Sequence, residues 1–327
     1  MLPMQVQASP VARIWGGRQL YGLRGFAEGP EPLGESWEVF GESKVLSGPY
    51  AGASLDELSG RLGRELLGHW WNGEPGFPLL LKWLDCQEWL SLQVHPDDVV
   101  ARELKGPQFR GKCEAWYFHR VAPQAEVIHG WLSRPPDEAE MDQLRGAAWL
   151  DWVRRYRPEA GQWVDTPPGT VHALGPGLLV FEVQQNSDLT FRLYDWDRAG
   201  LDGTARPLHL AEGLQAIRRA ASSTAVCRPG FEVDNDYFCV ERHQGSQQWS
   251  PQGLSVEVVT LLEGTARVDC QGHHWSLGPL DSLVIPARCP ELKLTTEAPW
   301  FRVRLAEPCR NHGACSVSNS ISLSEGN

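Results

Sequence analysis

No two of the eight cysteines, at positions 86, 113, 227, 239, 270, 289, 309 and 315, form a CxxC pair. Zinc-ribbon and thioredoxin chemistry both need that spacing, so both are excluded. No apolar run approaches the roughly 18 residues that a bilayer crossing requires. Residues 1–10 have neither a basic start nor a long apolar stretch, so no secretory leader is read there. Scattered thiols in such a chain are expected to stay reduced in the cytoplasm. Cations are scarce as well: 30 Lys and Arg stand against 41 Asp and Glu, a formal net charge of −11. That balance disfavours nucleic acid and anionic membrane surfaces as partners. It leaves room for a small phosphorylated ligand, which needs only a few local cations.

What is present is a chain of 327 residues, long enough for two domains, with 15 Trp and with Gly and Pro throughout. Its apolar runs are short and broken by those turn residues, which predicts a mainly β fold with a few helices. Strands are expected within 37–52, at 78–84 and 89–95 with a turn at 85–88, as two strands within 114–132, and at 162–166, 178–184 and 189–194. Ser54-Leu55-Asp56-Glu57 is a capping-box pattern before an apolar run reaching about Trp71. Helical spacing covers 137–156 and 208–221. From 254 to 304 the chain reads as nearly continuous strand. Residues 262–268 and 275–287 there resemble the second half of a cupin barrel, with His273 and His274 placed in a turn rather than at metal-ligand positions. The expected organisation is two cupin-like jelly-roll barrels: residues 1–225 with helical segments and a metal site, and residues 226–306 without metal. A Ser- and Asn-rich tail over 307–327 is expected to be disordered.

The chemistry concentrates in three segments. Ser91-Leu92-Gln93-Val94-His95-Pro96-Asp97-Asp98 alternates like a strand and ends in a turn. Residues i and i+2 of a strand share a face, so Gln93 and His95 project together. Gly111-Lys112-Cys113-Glu114 adds a carboxylate and a lysine. Pro168-Gly169-Thr170-Val171-His172 turns a tight corner and brings a second histidine. Two His and one carboxylate suit catalytic zinc and non-haem iron alike. Taken singly, each is an ordinary packed or solvated residue.

Together with Glu182 to Asp195 (Glu-Val-Gln-Gln-Asn-Ser-Asp-Leu-Thr-Phe-Arg-Leu-Tyr-Asp), these segments resemble the signature regions of type I mannose-6-phosphate isomerase, closest to its short bacterial form. Arg13-Ile14-Trp15-Gly16-Gly17 and Gly34-Glu35-Ser36-Trp37-Glu38 resemble that family's N-terminal segments. The similarity runs in order from about residue 3 to about residue 305. The resemblance implies one zinc ion per chain held by Gln93, His95, Glu114 and His172. It implies a catalytic role for Arg192, places Lys112 beside the metal, and sets Ser91 and Arg198 where phosphate contacts are expected.

The implied activity is interconversion of mannose 6-phosphate and fructose 6-phosphate. Moving a proton between C1 and C2 through an enediol needs a base and something to hold negative charge on an oxygen. Lys112, Glu182 and Asp188 are the candidate bases, and the sequence does not choose among them. Two other functions fit a cupin: an iron-dependent dioxygenase, and a non-catalytic module that binds a sugar phosphate. The polar set Lys112, Arg192 and Arg198 suits an anionic sugar better than an O₂ pocket.

Overall fold

The short apolar runs fold as antiparallel strands, twenty of them among the residues that the computed structural model describes, 1–219 and 228–308. The first eleven are β1 (Ser9–Gly17), β2 (Leu33–Val39), β3 (Leu79–Cys86), β4 (Leu92–Val94), β5 (Glu114–Val121), β6 (Val127–Trp131), β7 (Val153–Tyr156), β8 (Trp163–Thr166), β9 (His172–Leu174), β10 (Leu178–Gln185) and β11 (Phe191–Tyr194). The rest are β12 (Val233–Asp234), β13 (Phe238–Gln244), β14 (Gln247–Trp249), β15 (Glu257–Leu261), β16 (Ala266–Cys270), β17 (His273–Leu277), β18 (Ser282–Ile285), β19 (Leu292–Thr295) and β20 (Pro299–Leu305). They form four sheets, ordered β1-β2-β3-β10-β5-β8, β11-β4-β9-β6-β7, β12-β13-β20-β15-β18 and β14-β19-β16-β17.

The period-two alternation of the strands decides how these sheets layer. Leu79, Leu81 and Trp83 of β3 pack with Val240, Val258, Phe301 and Val303 of the third sheet. Leu84 and Cys86, on the opposite face, pack with Trp116, Phe118 and Val180 against Val127 and Leu174 of the second sheet. The third and fourth sheets enclose Val259, Leu261, Leu283 and Ile285 against Val268, Leu277, Leu292 and Leu294. Each such side chain contributes roughly 1.5–3 kcal/mol when fully buried. The first sheet therefore has an apolar face toward the third sheet. Its other face is apolar at one end and carries the charged site residues at the other.

Helices fill in around the sheets. The capping box forms as the sequence indicates: the Ser54 side chain accepts from the Glu57 amide, and helix α1 of this region, Leu55–Leu62, ends at Gly63 with φ +48°. A second short helix, Arg64–Leu67, follows, so the apolar run up to Trp71 is two helices rather than one. The expected helix over 137–156 is shorter than its spacing suggested. It spans Glu138–Gln143, gives way at Gly146 to a 3₁₀ turn over Gly146–Asp151, and becomes strand at Val153 because that segment pairs with β6. The turn expected at 85–88 starts two residues late, since Asp85 and Cys86 pair with β10. His273 and His274 are not in a turn: they open β17 and are exposed, and the turn is made by Gln271 and Gly272. The helix expected over 208–221 is Leu210–Arg219 as far as it is described. Residues 220–221 and 309–327, the latter most of the expected tail, lie outside the described residues. No helix among the described residues is long and apolar enough to cross a membrane.

Candidate active site

Strand pairing brings the three sequence segments to one place between the first two sheets. Gln93 on β4 lies directly opposite His172 on β9, and Arg192 on β11 lies opposite Gln93. Glu114 opens β5 and faces them from the first sheet. The Pro-Gly corner fixes the approach of β9, with Gly169 at φ +82° and its amide donating to the His95 carbonyl at 2.8 Å. Gly111 has to be glycine beside Lys112, because a Cβ there would sit 2.4 Å from the Asp97 carbonyl carbon.

His95, Glu114 and His172 put their ligand atoms within 4.8 Å of one another, each residue being 1% exposed. His95 Nε2 is 3.3 Å from Glu114 Oε2, and His172 Nε2 is 3.2 Å from Oε1. Each ring is oriented from behind. His95 Nδ1 lies 2.8 Å from the Leu189 carbonyl, and His172 Nδ1 lies 2.8 Å from the Thr170 carbonyl. A carbonyl only accepts, so Nδ1 carries the proton in both rings and Nε2 turns its lone pair inward. Burial keeps the rings neutral: it lowers the His95 pKa and pushes that of His172 down to about 3. Neither Glu114 oxygen has a hydrogen bond of good geometry. A dry cluster of two nitrogen lone pairs and a carboxylate asks for a divalent cation, and backbone-anchored imidazoles are how such ligands are held. The Gln93 amide nitrogen lies 3.2 Å from His172 Nε2 and 3.5 Å from His95 Nε2, with the Ser91 hydroxyl donating to its oxygen at 3.0 Å.

Beside this cluster runs a row of buried charges of alternating sign. The Lys112 ammonium is 2.8 Å from Glu114 Oε2 and 3.6 Å from Glu182 Oε1. Glu182 on β10 faces Lys82 on β3 in register, and the two are 3.1 Å apart. Lys82 in turn lies 3.8 Å from Glu35 of β2, which is 3.1 Å from Arg13 of β1. The Trp116 indole donates to the other Glu182 oxygen at 3.2 Å. Burial, and after it the Glu114 carboxylate, push the Glu182 pKa up to about 7 against the pull of both lysines.

The remaining sequence candidates separate. Arg192 donates to the Pro207 carbonyl at 2.7 Å and has no carboxylate partner among the described residues. Arg198 is already neutralised, at 3.2 Å from both Glu88 and Asp195. Asp188 is exposed on the loop after β10, in a cleft shared with Asp56, Arg110 and Ser187 rather than in the buried row. Sequence reasoning missed Lys82 and passed over Glu35 as part of an N-terminal match. The signal for Lys82 was there: one lysine inside Leu79-Leu80-Leu81-Lys82-Trp83-Leu84, a run where every residue is buried.

Fold and site together define a mainly β protein, built of antiparallel sheets around a buried candidate metal centre. A family model described as the phosphomannose isomerase type I catalytic domain matches residues 4–111. The chain is 39% identical over 296 residues to mannose-6-phosphate isomerase ManA of Bacillus subtilis, covering 86% of this chain and 92% of that one. It is 34% identical over 301 residues to mannose-6-phosphate isomerase of Streptococcus mutans, covering 87% and 92%. A crystal structure of mannose 6-phosphate isomerase from Bacillus subtilis superposes with a TM-score of 0.81 at 30% identity, over 93% of this chain and 99% of the other. The chain belongs to the type I mannose-6-phosphate isomerase family.

Proposed function

We propose that this protein is a cytoplasmic, zinc-dependent isomerase that interconverts mannose 6-phosphate and fructose 6-phosphate. The observation that carries the reading is the junction of the His95, Glu114 and His172 cluster with the buried Lys112, Glu182 and Lys82 row, in a chain of this family. The five buried free thiols that the structure describes suit a reducing compartment. Two cupin-like barrels, residues 1–225 and 226–306, account for the pairing of sheets one with two and three with four.

In this reading His95, Glu114 and His172 hold the zinc. Gln93 joins them with its amide oxygen, a rotamer that lets its nitrogen donate to Ser91. The bound ion supplies Lewis-acid polarisation of the sugar oxygens at C1 and C2. Glu182 takes the proton from C2 of the aldose and returns it to C1, while a second proton passes from the C2 hydroxyl to the C1 oxygen. A carboxyl brought close to neutrality is suited to both directions of that transfer. The Lys82 and Lys112 ammonium groups, fixed and dry, hold the negative charge that develops on the oxygens. Asp188 is too exposed to share this work.

Arg192 takes the phosphate. It shares the inward face with Gln93 and carries a positive charge that no carboxylate answers, whereas the charge of Arg198 is spent on Glu88 and Asp195. A contact to a group remote from the reacting carbons acts equally in ground and transition states. Arg192→Ala is therefore expected to raise KM for mannose 6-phosphate by about 10- to 100-fold, the range for losing hydrogen bonds to a charged group, with kcat within a few-fold. Arg198→Ala is expected to change KM much less. Steady-state kinetics of the two variants read this directly; a large kcat loss at unchanged KM would make Arg192 a participant in the chemistry instead.

The reading as a whole is tested by a coupled assay for fructose 6-phosphate, with metal analysis of the same preparation. Chelator is expected to abolish turnover, and added zinc to restore it. Iron in the purified protein with no isomerase activity would favour the dioxygenase chemistry that the same ligand set permits.

A further inference from the structure

We infer that Glu35 is a positioning residue for the reaction, its carboxylate holding the Lys82 ammonium in place against Glu182. The inference rests on the reading of Lys82 and Glu182 given above and adds what makes their geometry possible.

Lys82 is 3% exposed, in the middle of a strand with neighbours on both sides. A buried ammonium without counter-charge is costly enough to lose its proton or its position. Glu182 cannot supply the whole counter-charge, because Oε1, the oxygen it offers to Lys82, is shared with Lys112. Glu35 supplies the rest. It is 5% exposed, and its Oε2 accepts from the Trp37 indole at 2.6 Å and from Arg13 at 3.1 Å. Both partners grip the same oxygen, which leaves Oε1 turned toward Lys82 at 3.8 Å. Trp37 sits opposite Lys82 in the β2–β3 ladder, two residues from Glu35 and on the same face. Register thus delivers both the carboxylate and the donor that aims it.

The charges facing Lys82 come from every neighbouring element: Glu35 from β2, Glu182 from β10, Glu114 from β5, Lys112 from the segment before it, and Asp188 from the loop after β10. Burial works against ionisation of Glu35, yet Lys82 and then Arg13 bring its pKa down to about 2, so it is an anion at any working pH. Burial likewise works against the Lys82 charge, and Glu182 followed by Glu35 raise its pKa nonetheless. Arg13, 31% exposed on its side chain, closes the row at the solvent end and completes the alternation Arg13, Glu35, Lys82, Glu182, Lys112, Glu114.

Removing only the charge of Glu35 has a defined sign. Lys82 then loses a stabilising anion and gives up its proton at lower pH, so the alkaline limb of the kcat profile moves down. Glu182 sees a less compensated ammonium and ionises more easily, so the acid limb also moves down. Glu35→Gln, which can still accept from Trp37, is expected to lower kcat about 10-fold and to shift both limbs acidward by about one pH unit. KM and metal content are expected to stay close to wild type. Glu35→Asp keeps the charge on a shorter arm and is expected to return both limbs to their wild-type positions, with kcat still partly lowered. Lys82→Met separates this inference from the reading beneath it. Wild-type kcat in Lys82→Met overturns the role given to Lys82. A large loss in Lys82→Met, with wild-type kcat and limbs in Glu35→Gln, overturns the role of Glu35 alone. Identical acidward shifts in the Gln and Asp variants also overturn it, because charge is then not what Glu35 provides.

Discussion

Replacing His95 with alanine is expected to remove the bound metal and, with it, at least about 10³-fold of the isomerase rate, as loss of several kcal/mol of charge stabilisation requires. Three features make the loss steep. His95 is one of only two imidazoles at the centre, so the variant keeps one nitrogen ligand. Its ring is preset by the Leu189 carbonyl, so no rearrangement is needed to present Nε2 in the wild type, and none of the neighbours can take that place. The Glu114 carboxylate, 1% exposed, then leans on Lys112 alone, 2.8 Å away, which draws that lysine toward the empty corner and away from Glu182. Metal content by mass spectrometry and turnover in the coupled assay should fall together, with secondary structure retained because His95 lies just beyond the end of β4 and carries no ladder pairing of its own there. Full activity in a metal-free His95→Ala preparation would sink the metal-centred reading.

The ligand set was legible before any coordinates because each ligand sits in a short motif with its own logic. Gln93 and His95 alternate in a strand, Pro168 and Gly169 announce the corner before His172, and Glu114 follows a glycine that its surroundings force. The row of charges behind the ligands was not legible in the same way. Lys82, Glu35 and Glu182 lie on three strands whose adjacency, β2-β3-β10, joins segments about a hundred residues apart. No local pattern encodes that order. Arg192 and Arg198 were likewise both visible as basic residues, but only tertiary contacts show which one is already paired. Helix limits failed for a similar reason. The spacing of Met141, Leu144, Ala148 and Val153 is helical, yet pairing with β6 claims Val153 for a sheet. Local periodicity gives way wherever a long-range partner offers a ladder.

Glu182→Gln is expected to lower kcat by about 10²- to 10⁴-fold, the span usual for removing a general base, while leaving metal content unchanged and KM within a few-fold. Glutamine preserves the shape and can still accept from Trp116 and Lys82, so the packing between β5, β10 and β3 survives. What it cannot do is take a proton. The pH dependence makes that distinction measurable. A carboxyl whose pKa is raised to about 7 by burial and by Glu114 is protonated, and idle as a base, below that pH. The wild-type kcat should therefore climb through an acid limb lying above the ordinary carboxylate range, and a cation at the Glu114 cluster, by offsetting that carboxylate, should bring the limb somewhat lower than in metal-free titration. In Glu182→Gln the residual rate should lose that limb altogether. Retention of the limb at wild-type height would assign it to another group and return the base to Lys112, whose ammonium lies between Glu114 and Glu182 and is the other proton carrier within reach.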